Sequence, residues 1–164
     1  MQASLSTWWA AARPFSFTAS IIPVVVGTLL AADDQFRWWA FALALIGSLF
    51  IHAGTNFVND YYDDRKGVDG SESLGQAGFI QRGIVQPRQV LAAGIICFAA
   101  GSAIGLVLCI TVSWQLAWLG MASVLAGFLY TGAPIHLAYL GLGELTVFVF
   151  MGPVMVMGAY FVQV

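Results

Sequence analysis

Charged residues are scarce in this sequence. Only 9% of its 164 residues are Asp, Glu, Lys or Arg, whereas soluble globular domains carry about 25%. Hydrophobic residues make up 60% of the chain. This composition excludes an ordinary soluble domain, and it indicates a protein whose main solvent is the lipid bilayer.

Basic residues and cysteines are also few. Six Lys and Arg stand against eight Asp and Glu, and the formal net charge is −2. Proteins that bind nucleic acid need a positive field for the phosphate backbone, so we expect no nucleic-acid partner. Cys97 and Cys109 are the two cysteines. They would lie about 18 Å apart on one helix, which is too far for a disulfide.

Long stretches contain no charged residue, and they cover residues 14–32, 38–59, 89–143 and 145–164. A helix of about 20 apolar residues crosses a bilayer, and the third stretch is long enough for two passes. We therefore predict an all-α, polytopic membrane helix bundle in a single membrane domain, residues 1–164. About five transmembrane helices are expected, near residues 15–32, 38–59, 89–111, 114–131 and 144–162.

The first stretch also has features of a secretory signal peptide, because Arg13 precedes it and Ala31 and Ala32 follow it. A second apolar stretch comes directly afterwards, which favours a multi-pass protein.

The basic residues are unevenly distributed between the loops. With a cytoplasmic amino terminus, Arg37 lies outside and the other basic residues lie inside, as the positive-inside rule expects. We therefore predict an integral protein of the inner or plasma membrane, with its amino terminus and a loop at residues 60–88 in the cytoplasm. The basic residues assigned to the inside are Arg13, Arg65, Lys66, Arg82 and Arg88.

The second predicted helix becomes polar towards its end. His52, Asn56, Asp60 and Asp64 recur every four residues, so they share one helical face. Polar groups at membrane depth face the bundle interior and are candidates for function. For His52 we favour a hydrogen bond between helices over a role as a base.

Three acids, Asp60, Asp63 and Asp64, lie at the carboxyl end of that helix, where the helix dipole repels anions. They need a cation, and two sources are open. Arg65 and Lys66 could neutralise them in a solvated loop. Alternatively Mg²⁺ could bind, because it takes one or two carboxylates and completes its shell with water and phosphate oxygens.

Three stretches carry a family resemblance. They are Asn56-x-x-x-Asp60-Tyr61-x-Asp63 with Lys66-Gly67-x-Asp69; Ala12-Arg13-Pro14-Phe15 leading into residues 22–27; and residues 130–134 with 139–144. The first resembles the aspartate-rich motif of the UbiA superfamily of intramembrane prenyltransferases, in the form found in 1,4-dihydroxy-2-naphthoate polyprenyltransferases of menaquinone synthesis. The other two resemble the opening of that family and its naphthoate branch, so the likeness covers nearly the whole chain.

The resemblance implies an enzyme that moves a polyprenyl group from an allylic polyprenyl diphosphate to an aromatic acceptor. In the naphthoate branch the new bond replaces a carboxyl group, which leaves as carbon dioxide. By analogy the catalytic residues are Asn56, Asp60 and Asp63. The same three residues with Asp69 would hold Mg²⁺, and the diphosphate would be bound by Arg13, Lys66 and Arg82.

One departure from the family stands out. Members of the family have about nine spans and a second aspartate-rich motif. This sequence predicts five spans and one motif. We therefore expect the amino-terminal part of a prenyltransferase, inactive alone. The alternatives are another acceptor of the superfamily (4-hydroxybenzoate, haem or chlorophyll type), a transporter or cation-channel fragment, and a non-catalytic assembly subunit.

Overall fold

A computed structural model of the chain describes residues 4–31, 36–67 and 78–164, and the regular structure within these ranges is helical. The helices are α1 (Leu5–Ala11), α2 (Thr18–Ala31), α3 (Trp38–Lys66), α4 (Pro87–Thr111), α5 (Leu116–Leu129), α6 (Gly143–Val149) and α7 (Met155–Phe161). A 3₁₀ turn at Pro14–Phe17 leads into α2, and a π-helical turn at Phe150–Val154 joins α6 to α7.

Four helical segments are long and apolar enough to cross a membrane, namely Pro14–Ala31, α3, α4 and Gly143–Phe161. The all-α prediction is confirmed, and each of the five predicted helices has a counterpart. The counterpart of 114–131 differs, because α5 has only 14 residues. Its length is about 21 Å, compared with about 30 Å for the hydrocarbon core. Turns on both sides of α5 take up the other residues that we had assigned to it.

Helix α3 continues beyond its predicted end at residue 59 and reaches Lys66. Gly67 then adopts a left-handed conformation with φ of 65°, and its N–H bonds to the carbonyl oxygens of Asp63 and Asp64. A glycine in this conformation is the usual residue after a helix. The prediction of a loop from residue 60 is therefore wrong for residues 60–66, and the acids lie on the last turns of α3.

Helices α3 and α4 pack closely and run antiparallel. Gly47 of α3 lies against Gly101 and Ile104 of α4, whereas Gly54 lies against Gly94. From Gly47 to Gly54 the residue numbers increase along α3, whereas those of the contacted residues in α4 decrease, so the two helices run in opposite directions. Glycines allow two backbones to approach closely in a membrane, where apolar burial drives association little.

Helix α1 packs across the final turns of α3. Trp8 meets Phe57 edge to face, with ring centroids 6.0 Å apart, and Ala11 is buried in the same cluster. The chain turns immediately after α1, and this turn places Arg13 beside Asp60.

At the other end of the bundle, α7 packs against α2, and the residues after α7 bond to the start of α3. Gly27 of α2 lies against Ala159 of α7. The Gln163 side chain accepts a hydrogen bond from the N–H of Arg37 at 3.0 Å and donates one to the carbonyl oxygen of Arg37 at 3.3 Å. These bonds join the last turn of the described chain to the start of α3.

Candidate functional site

The side chains of the sequence motif gather at the carboxyl end of α3, which we call the polar end. Four pieces of the chain meet there: the last turns of α3, the turn between α1 and α2, residues 78–85, and the loop at residues 130–142. The polar end contains Arg13, Ser16, Asn56, Asp60, Asp63, Asp64, Lys66, Gln81 and Tyr139.

Arg13 and Asp60 form an ion pair between Nη2 and Oδ1. The Asp60 side chain is only 7% exposed and that of Arg13 is 22% exposed. A carboxylate removed from water to this degree needs a partner charge. Arg13 supplies it from a left-handed backbone conformation, with φ of 57°. That conformation costs a non-glycine residue about 1–3 kcal/mol.

Hydrogen bonds from two side chains hold the backbone of this turn. Ser16 Oγ donates to the carbonyl oxygen of Arg13 at 2.7 Å. Asn56 Nδ2 donates to the carbonyl oxygen of Ala12 at 2.9 Å and to Ser16 Oγ at 3.3 Å. The role of Asn56 as a metal ligand stays a prediction, but its amide nitrogen already fixes the turn that carries Arg13.

His52 extends this network into the bundle. Its Nε2 lies 3.2 Å from Ser16 Oγ, and its Nδ1 lies 2.8 Å from the buried Ser20 Oγ. The interpretation of His52 as a residue that hydrogen-bonds between helices is confirmed.

The two other acids of the motif contact different pieces of the chain. Asp63 Oδ1 accepts a hydrogen bond from the Tyr139 hydroxyl, which comes from the loop after α5. Asp64 Oδ1 accepts one from Gln81 Nε2 at 3.2 Å. Asp63 and Asp64 are adjacent on α3, and the helix turns them towards different partners.

The oxygen donors of the polar end suit Mg²⁺. Among the described residues no three His, Cys, Asp or Glu side chains lie close enough together to hold a metal ion. Mg²⁺ does not require such a group, because it binds through one or two carboxylates and keeps waters and phosphate oxygens. Asp60 and Asp63 are three residues apart on α3 and so are neighbours on its surface. Asp69 lies outside the described residues.

The predicted diphosphate-binding residues differ in their surroundings. The Lys66 ammonium lies 3.8 Å from the ring centroid of Tyr139. Arg82 is exposed and follows Gln81, which contacts Asp64. The buried Nε of Arg13 makes no hydrogen bond within the part of the chain that the structure describes. This donor is suited to an anionic ligand beside the ion pair.

Sequence reasoning missed Ser16, Gln81 and Tyr139 as members of the polar end. Tyr139 had a usable signal, because it begins one of the stretches that resemble the family. Ser16 and Gln81 had none, since their partners on α3 lie 36 or more and 17 residues away in the sequence, respectively.

A partly open apolar cavity of about 580 Å³ lies between the helices. Helix α3 lines it from Leu43 to Thr55, and α4, α5 and the final helices complete its wall. Few polar side chains reach it; they include Ser20, His52, Thr55 and Tyr130. Along α3, Asp60 lies about 7.5 Å of helical rise beyond Thr55 and about 140° around the helix axis from it. None of the described charged residues lines the cavity; the link is His52, which lines it and bonds to Ser16 of the polar end.

A family sequence model and several known proteins match this chain, and they indicate the same family. The sequence model of the UbiA prenyltransferase family matches residues 20–164. The chain is 37% identical over 162 residues to the 1,4-dihydroxy-2-naphthoate octaprenyltransferase of Mycobacterium tuberculosis, covering 98% of this chain and 55% of that protein. It is 36% identical over 156 residues to the protein of the same name from Bacillus subtilis, covering 94% and 50%.

A vertebrate relative is similar over the same region. The chain is 32% identical over 169 residues to UbiA prenyltransferase domain-containing protein 1 of Danio rerio, covering 100% of this chain and 49% of that protein. The chain thus spans about half the length of the curated relatives it matches.

Proposed function

Since the chain belongs to the UbiA prenyltransferase family, we propose that it serves in the transfer of a polyprenyl group from an allylic polyprenyl diphosphate to 1,4-dihydroxy-2-naphthoate in menaquinone biosynthesis. The relatives from Bacillus subtilis and Mycobacterium tuberculosis are named for 1,4-dihydroxy-2-naphthoate, which supports this acceptor. In this proposal the polar end faces the cytoplasm from the inner or plasma membrane.

One observation carries the proposal: α3 lines an apolar cavity along part of its length and carries the charged groups of the polar end on its last turns, and His52 connects the two through Ser16. Helix α3 lines the cavity as far as Thr55 and carries its acids from Asp60. A ligand that suits both parts has a long apolar tail and an anionic head, as a polyprenyl diphosphate does. Apolar walls with a few placed polar groups are typical of ligand sites.

The basic residues would bind the diphosphate. Arg13 is oriented by Asp60 and has further N–H donors, and a guanidinium suits bidentate contact with phosphate oxygens. Lys66 and Arg82 add positive charge at the same end. Partial burial strengthens the contact of Arg13 because little water screens it, whereas Lys66 and Arg82 are exposed.

Asn56, Asp60 and Asp63, with Asp69, would hold Mg²⁺. When bound, this ion acts as a Lewis acid that offsets negative charge on the departing diphosphate. In the reaction the allylic carbon to oxygen bond breaks, and its electron pair leaves with the diphosphate. The allylic carbon then bonds to a ring carbon of the acceptor, and the carboxyl group leaves as carbon dioxide.

The proposal is tested by measuring release of diphosphate from a polyprenyl diphosphate in nanodiscs, with 1,4-dihydroxy-2-naphthoate or 4-hydroxybenzoate as acceptor. The chain is assayed alone and with any coding sequence that follows Val164; we expect the chain alone to be inactive. In the active form, Asp60→Asn should lower the Mg²⁺-dependent rate by about 100-fold or more.

The control variant is Asp34→Asn, which removes an acid from the segment between α2 and α3 and should leave the rate unchanged. Persistence of the rate in Asp60→Asn would contradict the proposed role of Asp60. A product formed from 4-hydroxybenzoate alone would contradict the proposed acceptor.

A further inference from the structure

Tyr139 contacts two residues of the polar end through different parts of its side chain. Its hydroxyl donates a hydrogen bond to Asp63 Oδ1. Its ring lies under the Lys66 ammonium, 3.8 Å from the nitrogen to the ring centroid. Asp63 and Lys66 lie on the last turn of α3, whereas Tyr139 comes from a 3₁₀ turn, Leu137–Leu140, that follows α5.

We infer that Tyr139 is a positioning residue of the diphosphate site: its hydroxyl orients the Asp63 carboxylate towards Mg²⁺ and its ring orients the Lys66 ammonium towards the diphosphate. This inference rests on the proposed function. It assigns a role to a residue that lies outside the aspartate-rich motif.

The hydroxyl contact acts on the carboxylate. A hydrogen bond to Oδ1 restricts rotation of the Asp63 side chain, which is only partly buried. Partners of this kind orient the residues that bind a metal, and their loss lowers metal affinity by about 10- to 100-fold. Removing the hydroxyl should therefore weaken binding of a divalent ion without altering the ring.

The ring contact acts on the lysine. A lysine ammonium sits on a flexible four-carbon stem, so an exposed lysine samples many positions. The face of an aromatic ring attracts the cation and restricts it. Unlike a carboxylate partner, the ring brings no negative charge, and Lys66 keeps its full positive charge for phosphate oxygens.

The turn that carries Tyr139 is itself fixed by hydrogen bonds. The N–H of Ala138 bonds to the carbonyl oxygen of Tyr130 at 2.8 Å, and the N–H of Tyr139 bonds to the carbonyl oxygen of His136 at 3.0 Å. The His136 ring also lies beside that of Tyr139, with centroids 6.0 Å apart. A residue held in this way can impose a position on the side chains of Asp63 and Lys66 at the end of α3.

The test measures binding rather than turnover, on the whole chain in nanodiscs. Mn²⁺ replaces Mg²⁺, and its binding is followed by the loss of the free Mn²⁺ signal in electron paramagnetic resonance. Each titration is compared with empty nanodiscs at the same diphosphate concentration, because diphosphate itself binds Mn²⁺. Binding of labelled diphosphate at saturating Mn²⁺ is measured by equilibrium dialysis. The variants are Tyr139→Phe, Tyr139→Leu and Asp60→Asn, with Tyr160→Phe on α7 as the matched control.

We expect Tyr139→Phe to weaken Mn²⁺ binding by about 10-fold and to leave diphosphate affinity within about twofold. Tyr139→Leu should show the same loss for Mn²⁺ and a further loss of about two- to fivefold for diphosphate. Tyr160→Phe should change neither. The melting temperatures of all three tyrosine variants should match that of the parent chain, because both Tyr139 and Tyr160 are exposed.

Unchanged Mn²⁺ affinity in Tyr139→Phe would overturn the inference. If Asp60→Asn still abolished binding in that case, the proposed function would stand without it. Failure of the parent chain to bind Mn²⁺ and diphosphate together would overturn both.

Discussion

Arg13 adopts a backbone conformation that non-glycine residues rarely occupy, with φ of 57° and ψ of 58°. Its neighbour explains part of this choice, because a residue before proline is sterically disfavoured in the right-handed helical region. Pro14 therefore ends the helical path that α1 began. The guanidinium contact with Asp60 and the carbonyl contact with Ser16 then stabilise the strained turn.

Ser16 is the residue at which this turn can be tested without touching a charge. Ser16→Ala removes the hydrogen bond to the Arg13 carbonyl and the contacts with His52 and Asn56. Buried polar groups that lose a partner cost about 1–3 kcal/mol each. We expect the free energy of unfolding in detergent micelles, measured by titration with a denaturing detergent, to fall by at least that amount.

The matched control for this experiment is Ser123→Ala. Among the described residues, Ser123 Oγ donates to the carbonyl oxygen of Leu119, one turn earlier in its own helix, and to no other group. Its loss should change stability by a few tenths of a kcal/mol. Equal effects of the two variants would mean that Ser16 does not hold the Arg13 turn.

Residue spacing predicted which groups of α3 share a face, but not what they contact. His52, Asn56 and Asp60 recur every four residues, and all three are buried on the side that meets the α1–α2 turn. Their partners lie 32 or more residues away in the sequence. Such contacts follow from the packing of helices, which a local pattern does not contain.

At the scale of elements, the antiparallel pair α3 and α4 forms the frame that supports the polar end. The two helices approach each other at glycines. An added Cβ at Gly101 would lie 2.7 Å from Ile51 Cδ1 and 3.1 Å from the carbonyl oxygen of Gly47. A Cβ at Gly105 would meet no described atom within 4 Å. Close helix packing therefore belongs to Gly101 and not to Gly105 among the described residues.

This difference predicts opposite effects for two alanine substitutions in one helix. Gly101→Ala should lower the free energy of unfolding by about 1–3 kcal/mol, because it overpacks the interface. Gly105→Ala should raise it by up to about 1 kcal/mol, because alanine is the better helix former. The same micelle titration measures both variants, and a matching loss at Gly105 would show that the interface is not the cause.

Element types were predictable from the sequence, whereas two element boundaries were not. Apolar length alone gave the all-α fold. The end of α3 was misplaced because charge was taken to end the helix, although acids and bases continue a helix that has left the membrane. Gly67 after Lys66 was the better signal for its end. The shortness of α5 depends on the turns beside it, which an uncharged stretch does not reveal.

At the scale of the whole molecule, the bundle has two different ends. At one end, backbone hydrogen bonds from Gln163 join the start of α3 to the last turn of the described chain. At the other end, Arg13, Asp60 and Asp63 gather in the polar end, beyond the last turn of α3 that lines the apolar cavity. The proposed function depends on this combination of an apolar cavity and a polar end in one bundle.

The most direct test of the proposed site is a calorimetric titration of geranyl diphosphate into the chain in nanodiscs, with and without Mg²⁺. The account predicts binding that requires Mg²⁺, that is lost in Asp60→Asn, and that geraniol, which lacks the diphosphate, does not reproduce. Binding of equal strength without Mg²⁺, or in Asp60→Asn, would contradict it.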